Sequence, residues 1–136
     1  MDGRAPLTER FARLVATPAP PLDQLALLVA AHARPGLDVD AELLRLDDLA
    51  TRFRDDVVGD GDGEARRRWL GGTERFGPNL VDYHDPDNSM LDQVLRRRVG
   101  IPITLSVVLI EVGRRCGIDL VGVSLPGEFL VAERHA

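Results

Sequence analysis

The longest apolar run of the chain lies between Gly100 and Ile118, and its pattern predicts a single helix. Pro102 suits the first helical position, where the missing N–H costs nothing, and Gly117 stands where helices commonly end. The residues between them are apolar on nearly every side, which is typical of a buried helix. About 14 residues are too few to cross a bilayer, which takes roughly 20. The segment is therefore predicted to be the central helix of a protein core.

One polar stripe interrupts this apolar helix. Glu111 and Arg115 are four residues apart, in the order that favours an ion pair on a helix surface. Because exposed ion pairs of this kind rarely carry out chemistry, we interpret the stripe as a solvated, salt-bridged edge of the helix.

Upstream, apolar residues recur at helical spacing in three further segments. The predicted helices run from Thr8 to the residues before Pro18, over Leu22–Ala33, and from Asp38 or Asp40 to Val57. The alternating Gly and Asp residues at 59–63 lack the ligand spacing of a calcium loop, so they predict a flexible linker. A short helix over 64–70 is expected next, with Trp69 and Leu70 facing inward.

The polar segment before the central helix allows two interpretations. Three carboxylates and a histidine within six positions are typical metal ligands, namely Asp82, His84, Asp85 and Asp87. The structural interpretation is more economical, because Asp and Asn favour turns, and because Ser89 with Asp92 matches a capping box for a helix through Arg98. We therefore predict no metal centre and keep the four residues as the alternative ligand set.

After the central helix the periodicity changes from helical to extended. Residues 119–124 and 128–132 are two short β-rich runs, and Pro126-Gly127 between them is a turn signal. The pattern predicts two antiparallel strands joined by a tight turn. Since an isolated two-stranded ribbon is marginally stable, this sheet is expected to be truncated.

Composition narrows the class of protein. A chain of 136 residues fits one domain with a modest core, and 44% apolar and 29% charged residues are ordinary for a soluble protein. The net charge of −5 and the 4% aromatic content argue against nucleic acid or a membrane surface as partner. No signal peptide or membrane span is recognisable. The single cysteine, Cys116, fits a reducing compartment, so a cytoplasmic location is expected.

Three segments resemble the SirB-type branch of the transglutaminase-like superfamily, over about residues 83–131. They read Y-H-D-P-D-N-S-M-L, V-L-R-R-R-V-G-I-P-I-T-L-S and G-V-S-L-P-G-E-F-L-V, in family order. The resemblance implies a transglutaminase-like or cysteine-protease-like core and a Cys-His-Asp nucleophile system. In that system the cysteine opens the central helix, where the helix N-terminus lowers the thiol pKa and a neighbouring imidazole shares its proton.

The residues implied by the resemblance are replaced here. The helix opening carries hydroxyls, on Thr104 and Ser106, where the family has a thiol, and Glu128 stands at the position of the family histidine. The aspartate-bearing strand would follow Ala136. Cys116 lies roughly 20 Å from the helix start at 1.5 Å per residue, so we interpret it as a core thiol.

The leading hypothesis is a non-catalytic transglutaminase-like domain, without a cofactor, that serves as a scaffold or protein-binding module. The alternative enzyme is a divergent hydrolase or acyltransferase in which Glu128 acts as general base for Ser106 or Thr104. In a third hypothesis the chain is a fragment of a longer protein. The exposed edge of its last strand would then pair with a protein partner or a second copy.

The predicted architecture is α+β and mostly helical, with the central helix packed on a small, truncated antiparallel sheet at the C-terminus. We expect a single domain over residues 1–136. Its helical N-terminal part covers residues 1–70, and the transglutaminase-like core covers residues 71–136.

Overall fold

The structure is a computed structural model that describes residues 4–57, 69–125 and 128–133. Residues 121–125 and 128–133, which form strands, are described by their backbone only. Its helices are α1 (Arg4–Val15), α2 (Leu22–Ala33), α3 (Val39–Val57), α4 (Leu91–Arg97) and α5 (Pro102–Arg115). Its strands are β1 (Gly77–Pro78), β2 (Val99–Gly100), β3 (Leu120–Leu125) and β4 (Glu128–Glu133). The described chain is thus mostly helical.

The helices predicted in the N-terminal half are present. The bounds of α2 are those predicted, and α3 begins after Asp38, whose Oδ1 accepts a hydrogen bond of 3.1 Å from Ala41 N. Asp38 rather than Asp40 is therefore the N-terminal capping residue of α3. Helix α1 starts earlier than predicted, at Arg4, because Pro6 is tolerated in a first helical turn.

The described residues between α3 and α4, 69–90, form only short elements. The predicted linker at 59–63 and most of the predicted helix at 64–70 lie outside the described residues. Trp69 and Leu70 are buried as predicted, in one π-helical turn (Trp69–Thr73). The Trp69 ring packs edge-on against Phe53, with 5.0 Å between ring centroids, and anchors this segment on α3.

The predicted capping box before α4 is wrong. Ser89 ends a separate 3-10 turn (Pro86–Ser89), and α4 follows Met90 without a side-chain cap. The Asp92 carboxylate binds Arg34 Nε at 3.0 Å instead of capping a helix. A cation 58 residues away in sequence therefore outcompetes the local backbone for this carboxylate.

Two small sheets are present. Strands β3 and β4 are antiparallel, with Leu120 opposite Glu133 and Leu125 opposite Glu128. Strands β1 and β2 form a parallel pair of two residues each, which the predicted single antiparallel sheet did not include. The predicted turn at 126–127 lies outside the described residues.

Helix α5 lies at the centre of the core, as predicted. Val108 and Val112 are fully buried among side chains of α2, α3 and α4, including Leu27, Leu46 and Val94. Near its end, α5 closely approaches the start of β3: a Cβ on Gly113 would lie 2.8 Å from a methyl carbon of Leu120. Among the described residues, no helix combines the length and apolarity needed to cross a membrane.

Candidate functional site at the start of the central helix

The first turn of α5 is closed by Thr104. Its Oγ1 accepts a hydrogen bond of 3.1 Å from Ile101 N, which satisfies a backbone donor at the helix start. The same hydroxyl donates to Asn88 O at 2.7 Å, and Thr104 is 8% exposed. Its proton and a lone pair are therefore engaged by the backbone.

Ser106, one half-turn further along, is engaged in the same way. Its Oγ donates to Pro102 O at 2.7 Å, one helical turn back, and the residue is 6% exposed. Neither hydroxyl has a hydrogen bond to a titratable side chain among the described contacts. An alcohol becomes a nucleophile when an adjacent base takes its proton, so the described geometry leaves both hydroxyls unactivated.

Asn88 joins the helix start to the loop before it. This residue is 1% exposed, and its Oδ1 accepts from Asn79 Nδ2 at 3.0 Å. Its Nδ2 donates to the backbone oxygens of Asp82 and Tyr83, both at 3.1 Å. With Thr104 bonded to its carbonyl, Asn88 satisfies groups from three chain segments and fixes their relative position.

The four alternative metal ligands have other roles or lie on the surface. Asp85 caps the 3-10 turn by accepting from Asp87 N at 3.0 Å and binds Arg97 at 3.1 Å. Asp82 and His84 are exposed, and the His84 ring stands edge-on to Tyr83. Within residues 4–57, 69–125 and 128–133, no three His, Cys, Asp or Glu side chains are grouped to hold a metal.

The electrostatics of this turn follow from the same contacts. The hydrogen bond from Asp87 N, followed by the Arg97 guanidinium, lowers the pKa of Asp85 below its ordinary value. Both contacts favour the ionised carboxylate, as expected of a helix-capping residue.

The two remaining residues considered for catalysis are not joined to the helix start. The side chain of Glu128 lies outside the described part of the structure. Cys116 follows the last residue of α5, and its Sγ lies 3.4 Å from Ala50 O. It is partly buried against the core, so the thiol belongs to the opposite end of the helix from Thr104.

Four large apolar side chains, in the loop before α4 and in the first turn of α5, are exposed. Leu80 is 87% exposed, Val81 is 99% exposed and Tyr83 is 62% exposed, all in the loop fixed by Asn88. Ile103 in the first turn of α5 is 52% exposed. We call Leu80, Val81, Tyr83 and Ile103 the apical patch. Exposed apolar groups gathered in one region are typical of interaction surfaces.

The polar stripe of the central helix forms the predicted ion pair between Glu111 and Arg115, but the pair is largely buried, so the prediction of a solvated edge is wrong. Glu111 is 2% exposed and Asp23 of α2 is 3% exposed. Arg115 binds Asp23 Oδ2 at 2.7 Å, Glu111 Oε2 at 3.1 Å and Asp47 Oδ1 at 2.7 Å. Glu111 also accepts from Asp23 N at 3.2 Å, so this ion cluster fastens the start of α2 to the end of α5.

Sequence reasoning missed this ion cluster because its members are about 90 positions apart. One signal was present: Asp23 and Glu111 are the only carboxylates of two largely apolar helices, α2 and α5. A charged residue in such a place is nearly always paired when it is buried. The identity of the partner, however, depends on the tertiary packing.

Comparison with known proteins places these features in a family. The model of the transglutaminase-like superfamily matches residues 40–136. A UPF0162 protein of Xylella fastidiosa is 40% identical over 115 residues, which are 82% of this chain and 41% of that protein. A UPF0162 protein of Pseudomonas aeruginosa is 33% identical over 117 residues, 43% of its own length. The chain thus spans roughly two fifths of these bacterial relatives.

A shorter match lies in a eukaryotic protein. Human F-box only protein 21 is 39% identical over 57 residues, which are 42% of this chain and 9% of that protein. No solved structure matches the chain.

Proposed function

The chain belongs to the transglutaminase-like superfamily, and we propose that it is a non-catalytic member that serves as a protein-binding module. We further propose that it falls in the SirB-type branch and that residues 1–136 act as one domain. The branch assignment is supported by the three motif segments between residues 83 and 131.

One observation carries the proposal. Where superfamily chemistry needs an activatable thiol, Thr104 and Ser106 use their hydroxyl protons to bond Asn88 O and Pro102 O. Freeing either hydroxyl as a nucleophile would require breaking a hydrogen bond to the backbone, at a cost of about 0.5–1.5 kcal/mol. The hydroxyls therefore serve the stability of the helix start.

The exterior of the helix start supports binding. Three residues of the apical patch stand on a loop that Asn88 holds with two hydrogen bonds from Nδ2, and Ile103 stands on α5, so all four are presented by a fixed backbone. A pre-ordered apolar surface binds a partner with less loss of conformational entropy than a flexible one. Tyr83 is also of a residue type that is enriched at interfaces.

Catalysis is tested directly on the full chain. Incubation with a glutamine-containing peptide and a primary amine, and separately with a peptide thioester, should leave the intact mass of the protein and the amount of product unchanged. A thiol-directed probe should label Cys116 alone, and a Cys116→Ser variant should be indistinguishable from wild type in the acyl-transfer assays.

Catalytic turnover in these assays would contradict the proposal. Turnover that disappears in Thr104→Val, Ser106→Ala or Glu128→Gln would establish the divergent hydrolase or acyltransferase in place of the binding module. Turnover that disappears in Cys116→Ser would place the chemistry at the other end of the helix.

Binding is tested by site-specific photo-cross-linking. A photoreactive residue in place of Val81 should cross-link to one discrete protein. An excess of unlabelled wild-type chain should abolish this cross-linked product, and an excess of a Val81→Asp chain should not. Leu44 is the matched control, because it is a large apolar residue on α3 with 66% exposure. Equal capture at Leu44 and Val81 would reject the apical patch as the binding surface.

A further inference from the structure

A concave site lies beside Glu74, between α3, the end of α4 and the segment that carries Phe76. It is a cavity of about 180 Å³ whose floor is apolar, formed by Leu49, Phe76 and Leu95. Three arginines, Arg45, Arg52 and Arg98, line its walls together with Asp48. This volume is below the roughly 300–1,000 Å³ of sites for drug-sized molecules, so it suits a small ligand.

The arginines converge here for local reasons. Arg45 and Arg52 are two turns apart on α3 and therefore share one helix face. Arg98 follows α4 with φ of 62°, in the left-handed region where Gly is the usual residue. Arg98 thus adopts a backbone conformation that is unfavourable for residues with a side chain. The Arg98 guanidinium lies over the Phe76 ring, 5.2 Å from its centroid.

Glu74 holds two of the guanidinium groups in place. It is 7% exposed, and its Oε1 accepts from Arg52 Nε at 3.0 Å, from Arg52 Nη2 at 2.8 Å and from Arg98 Nη1 at 3.3 Å. A guanidinium fixed by such contacts loses little freedom when it binds a further group. The two arginines are therefore pre-organised.

Donors remain in the cavity after these contacts are counted. Arg45 Nε lies 3.3 Å from Glu42 Oε2 as an ion pair, and among the described residues none of the Arg45 guanidinium N–H groups makes a hydrogen bond. Arg98 Nη2 likewise has no hydrogen bond to a described residue. Arg45 and Arg98 come from separate chain segments, and both line the cavity.

Asp48 is the exposed acid of the cluster. Its side chain is 69% exposed and pairs with Arg52 one helical turn away. The carboxylates of Glu42, Asp48 and Glu74 balance the charges of the three arginines. An incoming anion therefore binds most favourably if it displaces the Asp48 carboxylate from Arg52. A surface pair of this kind contributes little to stability, so its displacement is inexpensive.

We propose that the Arg45, Arg52 and Arg98 cavity binds a small oxyanion, a phosphoryl group in preference to a carboxylate. Guanidinium groups bind phosphate and carboxylate oxygens through charge-assisted, often bidentate, hydrogen bonds. Three guanidinium groups can serve the several oxygens of a tetrahedral phosphate, whereas a carboxylate offers two. The site is separate from the start of α5 and holds whether or not that helix start is catalytic.

The test is a ³¹P NMR titration of inorganic phosphate with the full chain at constant ionic strength, with acetate as competitor. Arg98→Gly should weaken phosphate binding roughly tenfold or more, the loss of one charge-assisted pair. The variant should still fold, because Gly adopts this φ without steric cost. Arg96→Ala removes the same charge from an exposed position on α4 and should leave the affinity unchanged.

A second pair of variants tests the role of Asp48. Asp48→Asn should strengthen phosphate binding several-fold, whereas Asp55→Asn, an equal charge change at an exposed position of the same helix, should not. Equal effects of the paired variants would show general electrostatic attraction and would overturn the site. Acetate that competes at the same concentration as phosphate, or more strongly, would overturn the preference for a phosphoryl group.

Discussion

The two ends of the central helix bury polar groups by opposite means. At the start, Thr104 and Ser106 are neutral, and their hydroxyls bond to backbone carbonyls within or next to the first turn. At the end, Glu111 and Arg115 are charged and paired with each other; Arg115 also binds the side chains of Asp23 in α2 and Asp47 in α3, and Glu111 accepts from Asp23 N. The start thus relies on neutral bonds to the backbone, over separations of 4 and 16 positions, and the end on ion pairs that reach up to 92 positions along the chain.

This difference bears on function as well as stability. A buried charge without its partner is strongly unfavourable, so the ion cluster fixes how α2 packs on α5. The neutral start imposes a smaller constraint and carries the apical patch on its outer side. We infer that the end of α5 maintains the fold and that the start is the part available for binding.

The largest expected effect is at the ion cluster. Arg115→Met should lower the free energy of unfolding by about 3–5 kcal/mol, because it leaves Asp23 and Glu111 buried with reduced compensation. Urea unfolding of the full chain measures the change. Arg114→Met is the control: it contacts the same two carboxylates, but its side chain is 58% exposed, so we expect a loss below about 1 kcal/mol. Equal losses would show that burial of Arg115 has no special weight.

A steric test of the helix start should give the next largest effect. In Gly100→Ala, the new Cβ would lie 2.8 Å from Thr104 Oγ1 and 3.1 Å from a Val94 methyl group. Thr104 cannot move without losing its bond to Asn88, so we expect destabilisation of about 1–3 kcal/mol. Gly36→Ala meets no atom within 4 Å and should change the thermal midpoint little. Tolerance of Gly100→Ala would mean that the helix start is loosely packed.

A chemical test of the same region should be milder. Thr104→Val keeps the shape of the side chain and removes the hydroxyl, which deprives Asn88 O of a donor and Ile101 N of an acceptor. The expected loss is about 1–2 kcal/mol in urea unfolding. Ser106→Ala removes a bond within one helix, and we expect less than about 0.5 kcal/mol. A larger effect for Ser106 than for Thr104 would reverse the assigned roles.

The smallest expected effect is a pH dependence at Glu42, a buried carboxylate outside the ion cluster. Burial raises the pKa of Glu42 above its ordinary value, and the nearby Asp92 raises it further against the opposing Arg45. The folded state then binds this proton more tightly than the unfolded chain, so the contribution to stability is full at acidic pH. It is lost as the pH rises through the pKa of Glu42 in the folded protein.

A Glu42→Gln variant isolates this contribution, since the amide does not titrate. Compared with wild type, its thermal midpoint should decline less as the pH rises from about 4 towards neutrality. Identical pH profiles for the two proteins would show that Glu42 titrates as it does in the unfolded chain.

Local sequence patterns predicted most of the helices. The bounds of α2 follow from apolar spacing, and those of α5 follow from apolar spacing together with Pro102 and Gly117. Such signals are local, because helix formation depends on neighbours three and four residues apart. The parallel pair of β1 and β2 could not be predicted. Two-residue strands have no periodicity, and their partners are 22 residues apart.

The candidate site was predictable in its residues and not in its contacts. The sequence shows that Thr104 and Ser106 open the central helix, but the acceptor of each hydroxyl depends on where the chain brings its carbonyls. In the same way, the Asp92 carboxylate could cap its own helix or bind Arg34, and only the packing of α2 on α4 decided this.

By itself, the sequence determined the helical periods and the central position of α5, because both are set by residue type and short-range spacing. Only the tertiary structure decided that Glu111 is buried with Asp23, that the hydroxyls of Thr104 and Ser106 are bonded to the backbone, and that three arginines border one cavity. The physical reason is that charges and hydrogen-bonding groups interact within a few ångströms, whatever their separation along the chain. The fold alone brings such groups together.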